Sequence, residues 1–396
     1  MMPIQLGIDR LLQDFPNKLQ GKKFGVLAHQ ASVTSDLHYS FDVLNAAYPG
    51  QLKALFSPQH GIWGEQQANM IETGDSLDQG RNIPVYSLYG DVRWPTEEML
   101  AGLDCLLVDL QDAGTRVYTY LWTLSYCLEV CGKQGVEVLV LDRPNPLGGQ
   151  ITEGPILQKD FRSFVGRYEI PMRHGLTIGE FAAWANSAQD LGVSLDIVTT
   201  SGWSREMLWR DTGLHWIPPS PNMPTPTTAL LYPGMVLLEG TNLSEGRGTT
   251  RPFEVFGAPF IEPELLAAEL AKLNLPGVKI LPTRFEPTFD KWKNQSCGGV
   301  AFYVSDPAAL RSYELTVAAL LTVKQLWPNE FRWLPPPYEY ETKKMPIDIL
   351  SGSEQLKTSF EASEIKAEDD NLTINSHLSP PQTNFLAEVS EFLLYE

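Results

Sequence analysis

Across the first 200 residues, short apolar and β-branched runs alternate with stretches of helical spacing. That rhythm restricts the fold more than any other feature of the chain, because strand, helix, strand in succession is how a parallel sheet is built. Six runs read as strands, at residues 23–28, 52–56, 84–88, 105–110, 136–141 and 195–199. Most are apolar on both faces, as strands covered on two sides are. Between them, residues 121–132 and 178–191 carry apolar side chains at helical intervals. The second of these opens after Thr177 with Glu180 three positions on, the pattern of a reciprocal N-terminal cap. The expectation is an α/β fold with a mostly parallel sheet.

The character of the chain changes after Trp216. Residues 217–228 hold five prolines, which exclude a regular helix or central strand over most of the run and predict an extended connector. Strands are then expected near 235–238, 278–281 and 299–304, and helices at 313–326 and 385–395. Residues 361–381 are polar and end in proline, which predicts a loop. At 396 residues the chain exceeds one ordinary core, so a larger α/β part over 1–215 and a smaller one over 216–396 are expected.

Charge and cysteine usage narrow the partners. A formal charge of −18 opposes approach to nucleic acid or to an anionic membrane surface, and neither is expected as a partner. No apolar run reaches the roughly 18 residues that a spanning helix needs. Four cysteines, at 105, 127, 131 and 297, are too few and too scattered for a disulfide framework, and no second ligand pair joins Cys127 and Cys131, so no metal is expected. The first fifteen residues lack the basic, apolar and small-residue order of a secretory signal, and the cytoplasm is the expected location.

Ligands of open α/β sheets bind beyond the carboxyl ends of the strands. Three of the expected strands hand over to polar, turn-rich sequence there. The first junction carries Gln59, His60 and Glu65; the next Asp109, Arg116 and Tyr118; the third Asp142, Arg143 and Asn145, with Glu153 following. Each has a structural alternative: Asp109 and Asp142 suit helix caps or partners for Arg116 and Arg143, and His60 beside Gly61 suits a hydrogen-bonded turn. His174, ahead of a helix, reads either way, as does Glu129 within one. Residues 239–260 form a further polar, glycine-punctuated stretch, where Glu239, Thr241, Asn242, Glu245 and Arg247 supply the ions, amide and hydroxyl that suit a polyhydroxylated ligand.

Missing signatures remove several functions. No Gly-x-Gly-x-x-Gly follows a strand and no P-loop occurs, so no nucleotide cofactor is expected; neither a Gly-x-Ser-x-Gly elbow nor His-Glu-x-x-His is present. Carboxylate chemistry remains, and hydrolysis of a glycosidic bond needs two such groups.

Six ordered blocks also carry a resemblance. They are Ser57-Pro58-Gln59-His60-Gly61, Asp112-Ala113-Gly114-Thr115-Arg116-Val117-Tyr118, Leu141-Asp142-Arg143-Pro144-Asn145-Pro146, Arg173-His174-Gly175, Ser220-Pro221-Asn222-Met223-Pro224, and Glu239-Gly240-Thr241-Asn242-Leu243-Ser244-Glu245-Gly246-Arg247-Gly248. Together they resemble the YbbC/NamZ family of exo-β-N-acetylmuramidases. The resemblance implies a Rossmann-like subdomain and a smaller α/β subdomain with the site in the cleft between them. It also implies release of N-acetylmuramic acid from the end of a peptidoglycan fragment.

The family usually has glutamate, a proposed catalytic carboxylate, where this chain has Gln59. A carboxamide does not cycle a proton. Either a neighbour such as Glu65 or Glu153 takes the role, or Gln59 orients substrate, or activity is altered and the protein binds sugar without cleaving it. On this reading Glu153, Glu129 or Glu65 supplies the acid or base, with Asp109, Asp142 and His60 tuning it. Arg116, Arg143 and Arg247 are candidates for the lactyl carboxylate of a muramic acid or muropeptide ligand. Gln59, Tyr118, Asn145, His174, Asn222, Glu239, Thr241, Asn242 and Glu245 complete the expected binding set.

Overall fold

A computed structural model describes residues 3–67, 71–362 and 383–396. Seven strands form the main sheet: β1 (Phe24–Ala28), β2 (Leu52–Ser57), β3 (Ser76–Asp78), β4 (Ile83–Ser87), β5 (Cys105–Asp109), β6 (Glu137–Leu141) and β7 (Leu195–Val198). Their order is β3, β4, β2, β1, β5, β6, β7, and every pairing is parallel except that of the edge strand β3 with β4. All six expected strands are present within a residue or two. The seventh, β3, is exposed and short, so it lacked the apolar pattern that marked the others.

The central strands β1 and β5 are buried along their whole length, which fits their apolar runs, broken only by Asp109 at the end of β5. Helix Tyr120–Gln134 follows β5 and ends at Gly135, whose left-handed φ of 68° closes the last turn. Helix Ile178–Ala188 carries the expected cap: Glu180 N donates to Thr177 Oγ1 at 3.2 Å and Thr177 N to Glu180 Oε2 at 3.0 Å.

A second, antiparallel sheet has the order β8 (Val255–Ala258), β10 (Cys297–Val304), β9 (Val278–Phe285). Helix Ser312–Leu326 lies against helix Pro226–Met235. At Gly234 a Cβ would come 1.8 Å from the Ser312 carbonyl oxygen, so only glycine permits that approach. Leu231, Leu237 and Leu320 are fully buried around this contact, each contributing about 1.5–3 kcal/mol.

Several expectations need correction. The proline-rich connector ends before residue 228: Thr225 caps a helix that has Pro226 in its first turn, where the ring's fixed φ suits the helix and the missing N–H is no loss. The strand expected at 235–238 is instead the end of that helix and a 3-10 turn, Val236–Gly240, because an unbroken apolar run reads alike for either buried element. The final helix is shorter, Thr383–Glu388, with one 3-10 turn, Ser390–Phe392. Most of the loop expected at 361–381 lies outside the described residues.

Arg116 ties distant parts of the chain together. Its guanidinium is fully buried and donates to the carbonyls of Pro155, Ile170 and Leu350 at 2.7, 3.1 and 2.8 Å. Three buried acceptors are satisfied by one side chain.

Candidate functional site

Beyond the carboxyl end of β2 the chain turns sharply at His60, whose φ of 75° is left-handed. The turn points Gln59 and His60 into a narrow polar cavity of about 30 Å³, room for roughly two waters. Its opposite wall comes from the segment after helix Pro226–Met235 and from the loop near residue 339. Tyr118, Ser220, Asn222, Glu239, Arg247 and Glu339 belong to its polar lining. His60, Phe253 and Glu339 are non-glycine residues with left-handed φ on this one cavity. Strain of this kind costs roughly 1–3 kcal/mol per residue and collects at functional sites.

Burial holds the His60 imidazole neutral, with its pKa lowered to about 4. Nδ1 lies 2.7 Å from the Gln66 carbonyl and donates to it, which leaves Nε2 as the acceptor. Gln59 Oε1 accepts from Thr119 Oγ1 at 2.8 Å, so its amide group is oriented as a donor. Across the cavity Glu239 pairs with Arg247 at 2.8 Å and accepts from Tyr338 OH at 2.6 Å. Burial raises the Glu239 pKa and the Arg247 charge opposes the rise. Glu339 accepts from Tyr89 OH at 3.1 Å, and burial reinforced by Glu239 pushes its pKa up to about 7.

A second chamber of about 370 Å³ shares Glu239, Arg247 and Tyr338 with the first. That volume lies in the range of small-molecule pockets, about 300–1,000 Å³. Phe289, Leu334, Pro335 and Pro337 give it apolar walls, and Glu245 and Lys291, paired at 2.7 Å, give it a charged floor.

Of the residues singled out from sequence, Gln59, His60, Tyr118, Asn222, Glu239 and Arg247 line the first cavity, and Glu245 lines the second. The others stand elsewhere. Asp109 and Arg143 form a buried ion pair. Asp142 accepts from Thr177 Oγ1, Gly179 N and Tyr395 OH, and burial raises its pKa to about 6. Glu153 pairs with Arg173 at 2.9 Å and accepts from Tyr313 N. Glu129 meets Lys133 and Arg167 on the outer side of its helix. Glu65 is exposed.

Further candidates are fasteners of the backbone. His174 receives Leu176 N on Nδ1 and donates from Nε2 to Asp112 at 3.2 Å. Asn145 bonds Leu176 O and Leu147 N; Thr241 bonds Leu238 O and Leu243 N; Asn242 bonds Glu330 O and Arg332 N. Sequence reasoning passed over Glu339 and Tyr338, and met Ser220 only within the block that ends at Pro224. The one signal for Glu339 was a carboxylate set between tyrosines directly after three prolines, at 335–337. Among the described residues no group of three or more His, Cys, Asp or Glu is placed to hold a metal, and no helix is long and apolar enough to cross a membrane.

Two family descriptions match end to end: exo-β-N-acetylmuramidase NamZ, N-terminal, over residues 24–227, and its C-terminal counterpart over 230–395. The chain belongs to the NamZ family. A NamZ relative from Bacillus subtilis (strain 168), described as a peptidoglycan β-N-acetylmuramidase, is 42% identical over 90% of this chain and 84% of its own length. The NamZ fold also superposes on two crystal structures of DUF1343 family proteins from Bacteroides fragilis NCTC 9343. One has a TM-score of 0.88 at 32% identity with full coverage of both chains; the other has 0.74 at 25% identity with 99% coverage of each. The α/β architecture read from the strand rhythm is therefore that of the NamZ family.

Proposed function

We propose that the chain is a glycosidase that releases terminal N-acetylmuramic acid from peptidoglycan fragments, and that its reaction centre is the cavity between His60 and Glu239. One observation carries this reading. Gln59 and His60, at the end of β2, meet Glu239 and Arg247, from a remote part of the sequence, around a single polar hollow. Glycoside hydrolysis needs carboxyl groups flanking the scissile bond, and Glu239 borders both the narrow cavity and the larger chamber.

The terminal sugar fits the larger chamber, where apolar walls meet ring faces and carboxylates accept hydroxyl hydrogens. Glu239, whose ionised form Arg247 and Tyr338 favour against burial, stabilises positive charge at the anomeric carbon or takes a proton from the attacking water. Gln59, Tyr118, Ser220 and Asn222, which line the narrow cavity, meet the polar groups that the sugar projects toward it from the chamber. Of the three arginines proposed for the lactyl carboxylate, Arg247 lines the hollow, whereas Arg116 and Arg143 are bound to internal partners. The division of the chain near residue 216 belongs to the same reading: β7 ends at Val198, β8 begins at Val255, and the cavity takes walls from both sides. So does action in the cytoplasm on internalised muropeptides, a reducing setting that suits the free cysteines 105, 127, 131 and 297.

The test compares a chromogenic N-acetylmuraminide with the matching N-acetylglucosaminide. Preferential turnover of the first is expected; equal turnover would remove the basis for an arginine that reads the lactyl group. A second reading is favoured by Gln59 itself: a sugar-binding protein without hydrolysis. Activity that appears only in Gln59→Glu would support it, and good turnover by the unaltered chain would exclude it.

A further inference from the structure

We infer that Glu339 is the proton donor of this site, a catalytic carboxyl supplied by the loop at 338–340. The inference rests on the glycosidase reading above and adds to it the residue that lets the leaving group depart.

The placement of Glu339 is costly and specific. Glu339 and Tyr340 are consecutive non-glycine residues in the left-handed region, with φ of 43° and 69°. The Arg93 guanidinium stacks on the rings of Tyr340 and Tyr89, 4.3 and 4.6 Å from their centroids. Tyr89 OH then reaches forward to Glu339 Oε2. Thus the left-handed turn and the aromatic stack together hold a nearly buried carboxyl in the cavity wall.

Two carboxyls in one water-poor cavity are not both ionised at low cost, and the surroundings decide which keeps the proton. Glu239 has the Arg247 guanidinium at 2.8 Å and the Tyr338 hydroxyl at 2.6 Å. Glu339 has the Tyr89 hydroxyl, with Arg247 and Arg93 acting on it from farther off. His60, Tyr118 and Tyr232 also line the cavity; His60 is neutral, and burial raises both tyrosines far above their ordinary range. The proton therefore resides on Glu339, whose pKa near 7 suits exchange at neutral pH.

In the reaction, the bond between the anomeric carbon and the glycosidic oxygen breaks. The electron pair stays on that oxygen, which takes the proton of Glu339. Water supplies the new oxygen at the anomeric carbon, and its proton passes to Glu239, so the two carboxyls exchange protonation and relax through solvent.

The experiment compares two substrates that differ in their need for an acid: N-acetylmuramyl-N-acetylglucosamine, with a sugar leaving group, and 2,4-dinitrophenyl N-acetylmuraminide, whose phenolate departs unaided. In Glu339→Gln, hydrolysis of the disaccharide should fall about 100-fold or more, within the range typical of a lost general acid. The dinitrophenyl substrate should stay within a few-fold of the unaltered chain. The alkaline fall in kcat/KM, expected near pH 7 for the parent, should vanish. Glu339→Asp, which keeps the acid, should recover part of the disaccharide rate, and if the glutamine variant folds poorly its displaced carboxyl should still slow the disaccharide more than the dinitrophenyl substrate. Equal losses on both substrates, or no loss on either, would overturn the role of Glu339 while leaving the glycosidase reading intact. Failure of the unaltered chain to cleave either substrate would overturn both.

Discussion

Asp109 grips Arg143 through two hydrogen bonds, Oδ1 to Nε at 2.6 Å and Oδ2 to Nη2 at 2.9 Å, with both side chains buried at neighbouring strand ends. Arg143 also donates to the Val33 carbonyl, and Ser32 Oγ donates to the Asp109 carbonyl, so the pair locks the loops after β1, β5 and β6 into one floor. The geometry positions the rim on which the cavity is built.

Removing one partner of that pair leaves a bare buried charge. Asp109→Ala should lose about 3–5 kcal/mol of stability, whereas the double variant Asp109→Leu with Arg143→Met should lose distinctly less. Urea denaturation of the three chains measures both, and equal losses in the single and double variants would contradict the account.

Glu129 and Glu153 have different fates. Glu129 sits on a half-exposed helix face with Lys133 and Arg167, so Glu129→Gln should change stability by less than about 1 kcal/mol and leave turnover within two-fold. Glu153 is buried on Arg173 and on the first turn of helix Ser312–Leu326. Glu153→Gln should therefore lower the melting temperature by several degrees, while kcat at a temperature where it stays folded remains near that of the parent. A kcat loss of 100-fold in a folded Glu153→Gln would return it to the list of acids.

Arg116→Met removes the donor that satisfies the carbonyls of Pro155 and Leu350, while the Ile170 carbonyl keeps its bond from Leu157 N. Each buried acceptor left without a partner costs about 1–3 kcal/mol, so the total loss should exceed that of any single hydrogen bond. Calorimetry measures it, and Arg116→Lys should rescue only a fraction because one ammonium does not reproduce the planar fork.

The buried histidines and raised carboxyls give opposing pH slopes. His29 and His60, with pKa values lowered to about 3 and about 4, stay neutral in the fold while their unfolded counterparts protonate near 6.5. Between those limits the unfolded state binds more protons, so their contribution to stability is complete above pH 6.5 and is lost as pH falls. Asp142 and Glu339, raised to about 6 and about 7, act the other way: their contribution is complete below about pH 4 and is lost as pH rises through those values. Relative to the parent, His29→Gln should thus become less destabilised on going from pH 7.5 to pH 4.5. Glu339→Gln should gain stability relative to the parent between pH 4.5 and 8. Unfolding free energies at several pH values check the sign of each.

The strand rhythm alone determined the parallel core, because strands buried on both faces are apolar over most of their length, as β1, β5 up to Asp109 and β6 after Glu137 are. The cap of helix Ile178–Ala188 was equally legible, since Thr177 and Glu180 are three positions apart and their bonds are local. Of the residues at the polar junctions after the strands, Gln59, His60 and Tyr118 line the cavity. What they did not reveal is which polar groups border a cavity. Asp109, Asp142, Glu153 and Arg116 carry the same chemistry as Glu239 and Arg247, and only the packing assigns the former to internal partners and the latter to a cavity. Glu339 stands outside every strand junction, and its approach to Glu239 depends on a left-handed turn and an aromatic stack formed by remote segments. Sequence thus specified the elements through local periodicity. The pairing of charges across the hollow was decided by tertiary structure, because ionisation and hydrogen bonding depend on distance and burial in space and leave no period in the chain.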